Sequence, residues 1–212
     1  MDSSALRISR ASAFDSPMTI DIEREQLIRS AAKGSADAFE ALVLSCHSKA
    51  FAVAFRYMKN EADASDALQE AYLKLFTKIR TFSHLSSFDT WFIRIVINCC
   101  YDALRRQKHL RSRTDYSLEP GEEPLPLPDP KPEHSPEDAI LRGERRDMLE
   151  KAMDQLTPEH KDVLILREYQ QYSYEEISEI LQVSEGTVKS RINRAKMRLG
   201  EILKEQNPDF FV

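Results

Sequence analysis

Five cations, Lys189, Arg191, Arg194, Lys196 and Arg198, lie between Thr187 and Leu199 with no acid among them. Cations at this density suit nucleic-acid phosphates, and an arginine can also bond a guanine edge in a major groove. The same stretch carries Val188, Ile192, Ala195, Leu199 and Ile202 at helical spacing, which gives a helix one buried stripe and one basic face. With Val188 as the centre of the buried side, Thr187, Ser190, Asn193 and Arg194 point outward, and Lys189 and Arg191 sit at the edges. Upstream, Ser173 and Glu176 have the spacing of a capping box, and Ser184 is placed to cap the basic helix. A short helix, a tight turn and a basic helix present the second helix, N-terminal half foremost, to a DNA major groove. An ordinary helical hairpin with a solvated basic face would carry the same pattern, so the surrounding chain must separate the two.

A second run of cations, Arg105, Arg106, Lys108, Arg111 and Arg113, follows a segment holding Phe82, Ser83, Phe88 and Trp91. Rings beside cations suit single-stranded DNA, since bases stack on the rings while Lys and Arg hold phosphates. The competing reading places Phe88 and Trp91 in a helical core, where large aromatics usually sit. Acids gather elsewhere, at Glu61, Asp63, Asp66 and Glu70. Cys46–His47 and Cys99–Cys100 lack the paired spacing of a zinc site, and the cysteines read as small core residues. Five glycines form no phosphate loop, and no Ser-His-Asp set or carboxylate pair stands out. No catalytic residue, metal or cofactor is expected.

These groups need elements to hold them. The 212 residues suffice for one large domain or two small ones, and the net charge of −5 says less than its distribution, because phosphate attraction is local. Three cysteines cannot all pair, which favours a reducing compartment. No segment is read as apolar enough over enough length to cross a bilayer, and no secretory signal opens the chain, so a cytoplasmic protein without membrane insertion is expected. Seven of the ten prolines fall between Pro120 and Pro136, in an acidic stretch that must be extended rather than helical. The division expected is a disordered extension at 1–21, a helical bundle at 22–110, a linker at 111–137 and a helix-turn-helix domain at 138–206.

Within the bundle, a first helix runs from Ile22 to Lys33 and stops near Gly34. Phe39, Leu42, Val43, Cys46, Ala50, Ala54, Phe55 and Met58 mark a second buried face. Ala64, Ala67, Leu68, Ala71, Tyr72, Leu75, Phe76 and Ile79 mark a third. The last helix, from Phe88, is apolar nearly all round and broken by Arg94, Asn98 and Asp102, so it belongs inside a bundle with one polar stripe turned outward. The fold class is all-α, two small helical domains joined by a proline-rich linker.

From about residue 22 to 205 the chain resembles the extracytoplasmic-function (group 4) sigma factors of bacterial RNA polymerase. Asp66-Ala-Leu-Gln-Glu70 with Ala71-Tyr-Leu-Lys-Leu-Phe76 is similar to their polymerase-binding segment. Phe88-Asp-Thr-Trp-Phe-Ile-Arg-Ile-Val-Ile-Asn98 with Asp102, Arg105 and Arg106 is similar to the segment that opens and reads the −10 element. Leu156–Arg167 and Tyr174 through Arg191 look like the −35-binding domain. Two departures stand out: Gln182 occupies a turn position where relatives often have Gly, and the linker is denser in proline.

The resemblance implies a specificity subunit with no active site of its own. Asp66, Gln69 and Glu70 would meet a basic helical surface on the largest subunit of core RNA polymerase, and the C-terminal domain its flap region. The loop from Phe82 through Ser83 to Phe88 would accept a base flipped from the melted strand, with Asn98 supporting the pocket. Trp91 and Arg94 would hold the separated strands, and Arg105 and Arg106 the backbone. On the −35 element, Thr187, Ser190, Arg191 and Arg194 would face the groove, and Lys189 and Arg198 would hold phosphate. Promoter DNA, core polymerase and an anti-sigma factor are the implied partners. A signal-sensing regulator with the same C-terminal module would not need Trp91, Asn98 and the 105–113 run. A recombinase would need a catalytic domain, commonly with a sheet, and no convincing strand is found.

Overall fold

Every regular element among the described residues, 17–113 and 136–207 of this computed structural model, is helical, as the all-α reading requires. In order they are α1 (Pro17–Ala32), α2 (Ala36–Met58), α3 (Glu61–Lys78), α4 (Phe88–Arg113), α5 (Pro136–Asp154), α6 (Pro158–Leu164), α7 (Tyr174–Leu181) and α8 (Glu185–Gln206). A 3₁₀ turn, Ile79–Thr81, closes α3, and α6 runs on into a π-helical turn at Ile165–Tyr169. The N-terminal extension before Pro17, the prolines at 120–132, the Arg111 and Arg113 side chains and the tail after Asn207 lie outside the described residues.

Three helix limits differ from the sequence reading. Helix α1 starts at Pro17 rather than Ile22, and proline at a first helical position needs no amide partner. Helix α4 continues through Arg113 because nothing in Gln107–Arg113 breaks it. Helix α5 takes in Pro136 and Glu137, again with proline at its first residue. The expectation about bilayer-length segments also needs correction. By length and composition alone, α2 is long and apolar enough to cross a membrane, with a mean hydropathy of 1.3. Ser45, His47, Ser48 and Lys49 break its apolar run in sequence, and its many Ala, Val and Phe residues keep the average high.

The chain forms two compact units, residues 1–45 and 46–212. The first holds α1 and the opening turns of α2, separated by Gly34 at φ 101°, a left-handed value that glycine reaches without a Cβ clash. In the second, α3 is capped by Asn60, whose side chain accepts from the Asp63 amide at 2.7 Å. Ala64, Ala67, Leu68, Ala71 and Leu75 bury one face of α3 against α4. Two residues of the expected apolar stripes lie elsewhere: Phe76 is 59% exposed, and Leu199 is only half-buried.

Helix α4 is apolar all round because it is packed on opposite sides. Toward α3, Phe92 stacks on Tyr72 with ring centroids 5.7 Å apart, Lys74 meets Asp102 at 3.1 Å, and Gln107 donates to Asp63 at 2.9 Å. On the other side, Thr90, Ile97 and Tyr101 fall within about 40° of one another at 3.6 residues per turn. This face turns to α6 and α7, where Thr90 Oγ1 lies 3.1 Å from Glu179 and the Tyr101 hydroxyl donates to Asp162 at 2.6 Å. The C-terminal helices are built on α8, against which α5, α6 and α7 pack. Val163, Leu166, Ile177, Val188, Ile192 and Ala195 fill that core.

Candidate nucleic-acid interface

The α7–turn–α8 geometry follows from its caps. Ser173 accepts from the Glu176 amide while the Glu176 carboxylate accepts from the Ser173 amide at 2.7 Å, completing the expected capping box. Ser184 accepts from the Thr187 amide at 3.2 Å and starts α8. Between them Gln182 adopts φ 56° and ψ 47°, the left-handed cap that a helix end of this type demands. Its side-chain amide donates to the Glu179 carbonyl at 2.7 Å, tying the strained residue to the turn before it.

On α8, Lys189, Arg194 and Arg198 are exposed, and Thr187, Ser190 and Arg191 are half-buried. Arg194 folds back on Ser190, with Nε on its carbonyl at 3.2 Å and Nη2 on its hydroxyl at 3.1 Å. Arg198 pairs along the helix with Glu201 at 3.0 Å, and Lys196 reaches Glu168 at 2.8 Å. Lys189 and Arg191 form no ion pair among the described residues. The cations in the N-terminal half of α8 therefore remain open to an anion, and those toward the C-terminal half already have carboxylate partners.

A second surface lies on α4. At about 100° per residue, Trp91, Arg94, Asn98 and Arg105 share a sector of about 60° on one flank. Asn98 and Arg105 are exposed, and Trp91 and Arg94 half-buried. The loop before α4 folds onto this flank through Phe82, whose ring centroid is 5.0 Å from Trp91 and 5.8 Å from Phe88. Ser83 is exposed in that loop. Phe88 is not available for stacking, being 4% exposed and in contact with the rings of Phe82, Trp91 and Phe92. Arg106 points the other way and binds Glu70 at 2.7 Å, so one expected DNA contact and one expected polymerase contact are paired with each other.

The acidic face of α3 is correspondingly narrower than its sequence suggests. Asp66 and Gln69 are exposed, whereas Glu70 is half-buried between Arg106 and Lys74. The Arg106 guanidinium, with Lys74 behind it, holds the Glu70 carboxyl below its ordinary value against the opposing effect of burial. Burial would lower the Lys74 ammonium, but Asp102 and Glu70 hold it above its usual range. Leu73 and Phe76 continue the line of Asp66 and Gln69 and are 70% and 59% exposed. Sequence reasoning missed this apolar extension, because Phe76 falls on the expected buried stripe and Leu73 stands outside it beside Lys74. Cys46, Cys99 and Cys100 are buried, and burial pushes the Cys100 thiol up to about 12, away from thiolate chemistry. Among the described residues, no group of three or more His, Cys, Asp or Glu side chains could hold a metal ion.

Known proteins resemble this chain over both regions. The sigma-70 region 2 family matches residues 42–110, and the sigma-70 region 4 family matches residues 146–199. The RNA polymerase sigma-H factor of Pseudomonas aeruginosa is 32% identical, over 85% of this chain and 93% of its own length. The ECF RNA polymerase sigma factor SigW of Bacillus subtilis is 30% identical over 84% of this chain and 95% of its own. Among solved structures, CnrH in complex with the cytosolic domain of CnrY has the same fold at 23% identity, with a TM-score of 0.59 over 86% of this chain and 97% of that one. The sigma factor RpoE of Bartonella quintana, in complex with the anti-sigma factor NepR, superposes at 0.59 and 24% identity over 78% of this chain and 96% of its own. One matched region carries the α4 flank, the other the capped α7–α8 pair, and relatives align along nearly their whole length. The chain belongs to the extracytoplasmic-function branch of the sigma-70 family.

Proposed function

We propose that this protein, as a group 4 member, binds core RNA polymerase and directs promoter-specific initiation by gripping DNA at two points. The observation that carries this reading is the pair of separate DNA-suited surfaces on one chain. One is the open N-terminal half of α8, with Thr187, Lys189, Ser190, Arg191, Arg194 and Arg198, which suits a duplex −35 element. The other is the α4 flank with Trp91, Arg94, Asn98 and Arg105 beside the Phe82–Ser83 loop, which suits the melted −10 strand. Phe88 supports Trp91 from below rather than stacking on DNA itself, and Arg106 contributes once Glu70 releases it.

Core polymerase binds along α3. Asp66 and Gln69 steer a basic helical surface into place, Glu70 adds to them, and exposed Leu73 and Phe76 supply the apolar area that holds it. Residues 22–110 and 138–206 act as the two promoter-binding domains, with 111–137 as the spacer between them. The setting is the cytoplasm, the protein serves as a specificity subunit without its own chemistry, and an anti-sigma factor is its inhibitory partner. Mixing the purified protein with core polymerase on a genomic fragment library tests the reading. Transcripts starting at a defined set of sites are the expected result, and random starts in the absence of core binding would refute it.

A further inference from the structure

Beside the α4 flank, one large apolar side chain stands in solvent. Leu85, in the short segment between the 3₁₀ turn and α4, is 88% exposed. That segment is pinned at both ends. At its start the Phe82 amide donates to the Ile79 carbonyl at 3.2 Å, and the Phe82 ring packs on Trp91 and Phe88. At its end Ser87 caps α4, its hydroxyl accepting from the Thr90 amide at 3.1 Å and its carbonyl from the Trp91 amide at 3.1 Å. Between the pins His84 takes φ 56°, a left-handed value that is costly for a residue with a Cβ. The His84 ring lies 4.6 Å from that of Phe82, and the strained residue immediately precedes Leu85.

A single exposed leucine is ordinary on a protein surface, but folding gains nothing from a strained, doubly anchored backbone that holds one out. Leu85 is three residues from Phe82 and three from Phe88, so its Cα is within about 11 Å of each whatever path the chain takes. It therefore reaches whatever binds the flank of Trp91, Arg94, Asn98 and Arg105. Among the apolar side chains there, Phe88 is enclosed, and Phe82 and Trp91 spend part of their surface on each other. Leu85 alone among these four offers nearly its whole side chain. If the flank holds a melted strand, which rests on the function proposed above, a base leaving the stack opens a gap. Proteins that distort DNA fill such gaps with apolar side chains, leucine among them. Leucine has no polar side-chain atom with which to read a base edge, so its contribution belongs to opening rather than to base identity.

We propose that Leu85 is an apolar wedge, presented by the pinned Phe82–Ser87 segment, that enters the gap left by an extruded base of the −10 element and so favours the opened strands. It is a positioning residue for melting, and the Phe82 and Trp91 rings form the platform beside it. Fully burying a leucine corresponds to roughly a ten- to hundredfold shift in an equilibrium, and a wedge covered on its two faces by bases should give about tenfold.

Open-complex formation by full-length protein and core polymerase tests the wedge on two forms of one promoter, fully paired and with the −10 element already opened by mismatches. The variants are Leu85→Ser, which removes the apolar surface, and Leu85→Met, which keeps it. On the paired promoter, Leu85→Ser should lower permanganate-detected opening about tenfold, and Leu85→Met should stay within about twofold of the wild type. On the mismatched promoter all three proteins should initiate alike, because the gap no longer has to be made, and half-saturation by core should be the same for all. Unchanged opening by Leu85→Ser on the paired promoter would overturn the proposal. So would an equal loss on both templates, the mark of a contact to the strand already open, or a raised half-saturation by core, the mark of a polymerase contact. A wild type that gives specific starts while Leu85→Ser matches it sinks the wedge alone; a wild type with no specific starts on either template sinks the promoter reading and the wedge with it.

Discussion

Phe88 and Trp91 sit three residues apart on one helix and do different work. Phe88 is enclosed by three other aromatic rings, whereas Trp91 keeps part of its indole on the flank with Asn98 and Arg105. Phe88→Ala should cost about 3–5 kcal/mol of folding stability by leaving a cavity. Trp91→Ala, at a half-buried ring, should cost less stability than Phe88→Ala and impair promoter opening more, which thermal melts and permanganate reactivity of the melted strand distinguish. Arg191, free of ion pairs among the described residues and half-buried at the edge of α8, should act on DNA rather than on stability. Arg191→Ala is expected to weaken −35 duplex binding by about 1–3 kcal/mol, read by gel shift.

Glu70 gives a pH test. Its carboxyl is held below the ordinary value of about 4.3, so the folded state favours the ionised form. The stabilisation is present above that ordinary value and is lost as the pH falls through the lower folded one. Glu70→Gln should therefore melt below the wild type at neutral pH, and the gap should close in acid. A gap that stays constant would mean that Arg106 and Lys74 contribute nothing through charge.

Among the elements, the α7–α8 pair was the most legible, because capping chemistry is local. Ser173, Glu176 and Ser184 announce their roles by type and spacing, and the structure forms each expected cap. Gln182 shows the cost of that geometry. Gln182→Gly should raise stability by roughly 0.5–1 kcal/mol, the relief of left-handed strain being partly offset by the lost bond to the Glu179 carbonyl and by a freer unfolded chain. Chemical denaturation measures it, and a destabilised variant would show that the side-chain bond outweighs the strain. Phe76 was illegible for a general reason: helical periodicity marks an apolar stripe without saying whether the core or a partner covers it. The all-round apolarity of α4 was plain in sequence, but its cause was not. Tyr101 and Thr90 meet residues 61 and 89 positions away, and no local pattern records pairings at that separation.

For the molecule as a whole, two helical regions each contribute a DNA-suited surface. Composition gave a misleading first impression, since an acidic chain of net charge −5 is not an obvious DNA ligand. The charge is partitioned instead, with acids on α3 and cations on α8 and the α4 flank. Neither surface alone accounts for promoter choice, and the central claim is that both act at once when core polymerase holds them apart. Footprinting of a promoter recovered from the transcription library, with core polymerase and the full-length protein, measures this most directly. Simultaneous protection of the −35 and −10 elements, with strand opening confined to the latter, is the expected result. Protection of only one element in the complex that initiates would contradict the two-point grip.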